Sequence, residues 1–384
     1  MIGRILMYLI PALLIADIYI YMLFIRKISQ NLIGGILWFL PTVLLLIGAY
    51  LFFVSRSISD YRDIFIFIFI AIVLPKLLFF VISLLDLPLR YFFTWKVYPF
   101  SVLGAITGLA VIFIVIYGCT YGKERFQVKQ IEFSSPHLPP AFDGYKVLQV
   151  SDIHIGNWKS NTSAIEKLVN IINEQQVDAI MVTGDLVHNS ASELDGYESI
   201  LSRINAPDGV YSILGNHDYG LYRNWKGADE RRANLEDLKK RQASMGWKML
   251  NNEHIFLHKG NDSIALIGVE NQGKPPFPEY GDLPKAMRGT EKTSFKLLLS
   301  HDPSHWRREV LSTDIDLMLA GHTHATQFAI GKLSFASLVY DEWSGLYKED
   351  NQGLYVNVGI GYVMLPFRFG AWPEITIITL KREK

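Results

Sequence analysis

The segment KVLQVSDIH at residues 146–154 is a short apolar run that ends abruptly in Ser151, Asp152 and His154. The same grammar recurs four times downstream: AIMVTGD at 179–185, VYSILGNHD at 210–218, FKLLLSHD at 295–302 and IDLMLAGHTH at 315–324. Continuous apolar runs of this length, bounded by polar turns, are what strands buried on both faces look like. Further strands are expected at residues 263–269, 354–358 and 375–380, and residues 163–175 read as the helix of a βα unit. A layered α/β domain follows. Its strands deliver Asp, His or Asn at their carboxyl ends, the edge at which sites collect in open α/β sheets. The glycines before Asp185, Asn216 and His322 are expected to take the positive φ that a sharp exit from a strand often needs.

Upstream of residue 126 the chain obeys another solvent. Up to Tyr121 it carries 12 charged side chains, 8 basic and 4 acidic, with no Glu and no His, while the other 263 residues hold 62 charges and all ten histidines. Four apolar runs, at about residues 5–24, 32–54, 64–85 and 97–121, have the ~20-residue length that crosses a bilayer as a helix. The first is too long for a signal peptide and lacks a small-residue cleavage site. The expected organisation is an all-α four-helix transmembrane bundle at residues 1–121, then an α/β domain of the αββα-sandwich type at residues 122–384. Arg4, Arg56, Arg62, Lys123, Arg125 and Lys129 flank one side of the bundle, and Arg26, Lys27, Arg90 and Lys96 the other. That count favours a multi-pass protein of the plasma (inner) membrane whose catalytic domain faces the cytoplasm. Two ionisable residues interrupt the runs: Asp17 in the first and Lys76 in the third, each 12 residues from its run's start. A charge at mid-bilayer needs a partner, and the first and third helices run in the same direction, so the two are expected to face each other.

The aqueous part, at net charge −4, does not have the balance of a nucleic-acid binder. The single cysteine, Cys119, lies in an apolar run, which removes disulfides, thiolate zinc sites and thiol nucleophiles from the aqueous part. The strand ends supply two carboxylates, an amide oxygen and four or five imidazoles, a set that suits divalent Mn, Fe or Zn.

At these residues the sequence resembles the calcineurin-like metallophosphoesterase superfamily. Its pattern of D-x-H, G-D, G-N-H-[DE], a later H, and G-H-x-H is present here in order, within a resemblance running from Phe126 to about Leu380. The closing Arg368, Pro373, Glu374 and Ile375 resembles a membrane-associated bacterial branch with lipid-directed phosphoesterases. The resemblance implies two divalent ions, with manganese first among the candidates. Asp152, His154, Asp185 and His324 would hold one; Asp185 would bridge to a second, held also by Asn216, His301 and His322. His217 would contact phosphate and protonate the leaving oxygen. Two departures stand out. Many relatives place an Asp three residues after the bridging Asp to orient that histidine; here it is His188, with Asp218 as the expected substitute. The usual Gly-Gly after G-H-x-H is Ala325-Thr326.

The expected activity is hydrolysis of a phosphodiester or pyrophosphate bond by water, with an amphiphilic substrate such as nucleotide-activated diacylglucosamine and with membrane lipids as partners. Trp306, Arg307, Arg308, Trp343 and the segment 367–369 suit a lipid interface or, alternatively, the core. The charged stretch 223–241 reads as a solvated helix with a pair such as Arg232 and Glu236. The alternatives are a soluble nucleotide or phosphoprotein substrate, and a membrane sensor or transporter with a regulatory outer domain.

Overall fold

The computed structural model describes residues 2–29, 31–54, 62–95, 97–159 and 161–383. Arg56 and Lys96, counted above among the flanking charges, lie outside the described residues, and the side chains of Arg4 and Arg62 do as well. The chain divides into two compact units, Met1–Thr120 and Tyr121–Lys384.

Among the described residues, four helices are long and apolar enough to cross a membrane: Tyr8–Ile28, Leu32–Leu51, Ile64–Ser83 and Pro99–Glu124. Their large apolar side chains face outward, as Leu37, Leu44, Ile106 and Phe113 do, the reverse of a water-soluble bundle. The fourth helix approaches the third closely through Gly104 and Gly108; a Cβ on Gly104 would lie 3.2 Å from the Phe79 Cα. Lys76 Nζ lies 2.7 Å from Asp17 Oδ1, so the expected pair is formed. Thr42 of the second helix, which had not been anticipated, joins it by donating to Asp17 Oδ2 and accepting from Lys76 at 2.9 Å. Lys76 also sits 4.6 Å from the Trp38 ring, and Trp38 Nε1 donates to the Asp17 carbonyl at 3.1 Å.

The second unit is a sandwich of two six-stranded sheets. The strands are β1 Gln127–Ser135, β2 Lys146–Val150, β3 Ala179–Thr183, β4 Val210–Ile213, β5 Trp247–Met249, β6 Glu253–Lys259, β7 Asp262–Gly268, β8 Lys296–Leu299, β9 Leu317–Ala320, β10 Ala329–Ile330, β11 Leu333–Ser334, β12 Gly345–Glu349, β13 Gln352–Val356 and β14 Glu374–Arg382. One sheet has the order β1-β14-β2-β3-β4-β5, the other β12-β13-β9-β8-β7-β6, and β10 with β11 makes a separate hairpin. All eight expected strands are present. Those not anticipated, β1, β5, β6, β12 and the hairpin, are short or partly exposed edge elements without a continuous apolar run.

The two sheets share one core. Val147, Met181 and Ile213 of the first pack with Leu266, Leu297, Leu299 and Leu319 of the second. The helix Thr162–Asn173 buries Ile165, Leu168, Val169 and Ile172 on the outer face of the first sheet, and Trp306 is fully buried among Leu298, Met318 and Val356 outside the second. The layering is therefore αββα. Trp306 belongs to the core, not to an interface. Arg307 is engaged by Glu342 and Glu349, and Arg308 by Glu279. On the helix Ala228–Ser244 the pairing also differs from expectation: Glu236 meets Lys239 and Arg232 meets Asp229, each at i,i+3. The strands β2, β3 and β4 run parallel, as do β7, β8, β9 and β13, so the carboxyl ends of both sets open on one edge.

Candidate metal centre

Five strand ends meet at that edge. Asp152 and His154 follow β2, Asp185 follows β3, Asn216 and His217 follow β4, His301 follows β8, and His322 and His324 follow β9. The sharp exits were expected to fall on glycines, and at Gly184 this holds, with φ +90°. Gly215 and Gly321 do not take it: positive φ falls on Asp152, His154, Asp185, His322 and His324, all between +44° and +72°, and at the β4 exit neither Asn216 nor His217 has it. What those two glycines supply is space. A Cβ on Gly215 would sit 2.2 Å from Asp185 Oδ1, and one on Gly321 2.0 Å from Ser151 Oγ. Five non-glycine residues in the left-handed region store strain of order 1 kcal/mol each, held by the surrounding packing. Ala325 and Thr326, in place of the usual glycines, are also left-handed, with φ of 47° and 48°.

The expected ligands gather into two neighbouring groups, and His154 with His188 and His217 forms a third. His324 Nε2 lies 3.2 Å from Asp152 Oδ1 and 3.0 Å from His154 Nε2. Asp185 Oδ2 lies 3.6 Å from His154 Nε2 and 3.2 Å from His301 Nε2, so one carboxylate oxygen faces both groups. Asp152, His154 and His324 offer atoms within 4.8 Å of one another, as do Asp185, His301 and His322. Donors bound at about 2.1 Å around one ion stand about 3.0 to 3.4 Å apart at octahedral or tetrahedral edges; the His324–Asp152, His324–His154 and His301–Asp185 separations fall there, while His154 stands 3.6 Å from Asp185 and 4.0 Å from Asp152. Asn216 Oδ1 and His301 Nε2 are buried without a hydrogen-bond partner. Buried polar atoms rarely remain unmatched, and these two are of ligand type, so the residues fit a divalent metal.

Electrostatics agree. Burial pushes His154, His322 and His324 below the ordinary imidazole value, keeping them neutral and able to ligate. Burial opposes ionisation of Asp152 and Asp185 too, but the neighbouring histidines outweigh it and hold both carboxyls below the usual range. His301 is the exception: burial lowers it, yet Asp185 and Asp152 prevail and raise it to about 10. Its Nδ1 is fixed by the Thr183 carbonyl at 2.7 Å, leaving Nε2 toward the carboxylates.

The His217 ring stands edge-on to His154 at 4.7 Å between centroids, with Nδ1 2.7 Å from the His188 carbonyl. The expectation that Asp218 orients this ring does not hold. Its carboxylate accepts from the backbone N–H groups of Asp185, Val187 and Gly215, and burial together with Asp185 pushes it up to about 7. Asp218 ties two site loops together, and main-chain geometry at 188 orients His217, so a side-chain acid there is not required.

Four neighbours escaped the sequence reading as site residues. Tyr222 accepts from Asn216 Nδ2 at 2.9 Å and packs on His217; Tyr340 Oη lies 2.9 Å from His322 Nε2; Asp302 Oδ2 lies 3.5 Å from the same nitrogen. Arg368, fully buried, reaches His324 Nδ1 at 3.1 Å and donates to the Gly361, Ala371 and Val358 carbonyls. Arg368 and Asp302 lay inside stretches already noted, whereas nothing local marks Tyr222 or Tyr340.

Comparison with known proteins agrees with this geometry. The calcineurin-like phosphoesterase family model matches residues 145–326, and the model for the transmembrane domain of calcineurin-like phosphoesterases matches residues 3–123. A transmembrane protein with metallophosphoesterase domain from Danio rerio is 30% identical over 279 residues, 70% of this chain and 60% of that protein; the chain thus spans well under two thirds of it. The metallophosphoesterase YkuE of Bacillus subtilis strain 168 is 30% identical over 284 residues, 69% of this chain and 91% of that protein. Among solved structures, the NAD nucleotidase of Haemophilus influenzae aligns at 16% identity and a TM-score of 0.39, covering 56% of this chain and 50% of that one. The family models, the 30% identity to a bacterial relative covered to 91% and the His/Asp clusters agree: the chain belongs to the calcineurin-like metallophosphoesterases and carries, among the described residues, four helices long and apolar enough to cross a membrane.

Proposed function

We propose that this chain is a two-metal phosphoesterase of the plasma membrane that hydrolyses a phosphodiester or pyrophosphate bond in a lipid or lipid-linked substrate, nucleotide-activated diacylglucosamine being one such compound. Residues 1–121 anchor it and residues 122–384 carry the chemistry, on the cytoplasmic side. The observation that carries the reading is the Asp185 carboxylate oxygen, which faces His154 on one side and His301 on the other. Asp152, His154, Asp185 and His324 would hold one ion and Asp185, Asn216, His301 and His322 the other, with manganese the first candidate. When bound, the ions supply positive charge to the phosphoryl oxygens and an activated water for in-line attack.

The chain's own groups do the rest. His217 donates Nδ1–H to the His188 carbonyl, which leaves Nε2 to carry the proton delivered to the leaving oxygen. Its backbone N–H donates to Asp185 Oδ1 at 2.8 Å, fixing the ring's position relative to the bridging carboxylate. Asp152 and Asp185 would offset two of the four positive charges that two divalent ions bring, leaving positive charge to attract an anionic phosphoester. A lipid substrate is supported by the chain's own spans, which confine the enzyme to a membrane.

The test uses metal-stripped protein in detergent with bis(p-nitrophenyl) phosphate. Manganese should restore hydrolysis, and detergent-dispersed phospholipid or lipid-linked pyrophosphate should compete. Failure of Mn, Fe and Zn alike to restore turnover would reject the reading, and an unchanged lipid profile in cells lacking the protein would reject the lipid substrate.

A further inference from the structure

The segment between His324 and β12 is built inside out. Its small or hydroxyl side chains, Ala329, Ser334 and Ala336, are buried against the domain, whereas Ile330, Leu333, Phe335, Leu338 and Val339 are 57 to 80% exposed. The segment is nevertheless fixed. Ser334 Oγ donates to the Ala325 carbonyl at 2.7 Å, Thr323 Oγ1 donates to the Trp343 carbonyl at 2.7 Å, and the Phe328 ring stacks near Phe335 and Phe369 at 6.1 Å each. A contiguous exposed apolar surface on an ordered segment marks a place where something apolar binds.

Its far end touches the metal centre. Tyr340 lies against His322, and Phe277 stands edge-on to the same imidazole at 4.5 Å between centroids. Val339 and Tyr340, with Pro275, Pro276 and Phe277, form the apolar wall of a groove of about 600 Å³ that charged side chains such as Lys274, Arg307, Asp341 and Glu342 also line. Arg308 lies along it, tied to Glu279 and to the Gly273 carbonyl. Apolar side chains therefore run from Phe277 and Tyr340 beside His322 along the prolines to Val339, and the chain continues from there through exposed Leu338, Phe335 and Leu333.

We propose that this groove and the patch beyond it seat a long alkyl or acyl chain of the substrate, so that the enzyme prefers phosphodiesters esterified to a hydrophobic chain. An apolar wall that begins at the metal-site histidine suits an amphiphile whose phosphate lies on the donors and whose chain follows Phe277, the prolines and Val339. The proposal deepens the phosphodiesterase reading above and rests on it.

The full chain in lipid nanodiscs, loaded with Mn²⁺, is assayed on p-nitrophenyl phosphodiesters carrying a methyl, butyl or octyl group. A buried methylene is worth up to about fourfold in binding. Partial burial should therefore raise kcat/KM about tenfold or more from methyl to octyl. Leu338→Asp with Val339→Asp, and separately the milder Leu338→Ser, should pull the octyl-to-methyl ratio toward one. The ratio is taken within each variant, so a general loss of activity cancels, and partitioning into the bilayer raises wild type and variants alike. Cleavage of the methyl ester with no chain-length gain, or a gain that the substitutions leave unchanged, overturns the chain seat. Absence of cleavage for every ester would instead overturn the phosphodiesterase reading beneath it.

Discussion

Both halves of this protein bury ionisable side chains, but they finish the job differently. In the spanning bundle, Asp17, Lys76 and Thr42 satisfy one another within a triangle of hydrogen bonds, with Trp38 over the ammonium. In the catalytic domain, seven Asp, His and Asn side chains converge, Asn216 Oδ1 is left without a hydrogen-bond partner, and His301 Nε2 meets the carboxylates of Asp185 and Asp152 only as a loose ion pair at 3.2 and 3.9 Å. A cluster that closes on itself holds helices together; a cluster with donor atoms to spare is arranged for something from outside. The cost of an unmatched buried polar group, about 1 to 3 kcal/mol, makes the second arrangement worth keeping only if a ligand completes it.

The comparison breaks most visibly at the bridging position. Asp185→Asn should abolish detectable hydrolysis and release metal, measured by turnover together with metal content; two retained ions and near-normal turnover would show that the cluster is not built around this carboxylate. His217→Ala should keep its metal while kcat falls about 10² to 10⁴-fold, the usual contribution of a positioned acid. Metal loss in that variant would move His217 into the ligand set.

In the bundle the expected loss is one of stability. Asp17→Leu leaves Lys76 buried without its counter-charge and should cost about 3 to 5 kcal/mol, read as a lowered unfolding midpoint in detergent. Combining it with Lys76→Met should recover most of the loss, because a self-contained ion pair is replaceable by apolar packing. Additive damage in the double variant would show that the two residues do not interact. The smallest effect sharpens the other half. With His301 raised to about 10 by Asp185 and Asp152, it holds a proton in the metal-free site at neutral pH, and ligation requires its removal. Metal binding near pH 8 should release about one proton per protein, and affinity should weaken as pH falls. Release of none would place His301 outside the ligands.

The strands that carry the chemistry were legible because each is a continuous apolar run closing on Asp, His or Asn. β1 and β6 were not, since their partly exposed sequences mix polar and apolar residues without a run to mark them. The Asp17–Lys76 contact was legible from equal offsets along two parallel helices, because helical rise is constant; Thr42, on an antiparallel neighbour, carried no such signal. Gly215 and Gly321 were correctly singled out for the wrong reason. Their role is close approach between strands that sequence cannot pair, and beside Gly321 the unusual φ values sit on His322 and His324.

Composition and periodicity by themselves determined that the chain has four spans, that an α/β domain follows, and which side chains stand at strand ends, all of which depend on residues near one another in the chain. Only the tertiary structure decided that β8 and β9 face β2, β3 and β4 across one edge, so that Asp185 stands between His154 and His301. It also decided that the His188 carbonyl, not Asp218, steadies His217, and that Tyr340 reaches His322 from a segment with no motif. The physical reason is that hydrogen-bond and donor geometry at the site is set by the order of strands in two sheets, and that order is a property of long-range packing that no local pattern encodes.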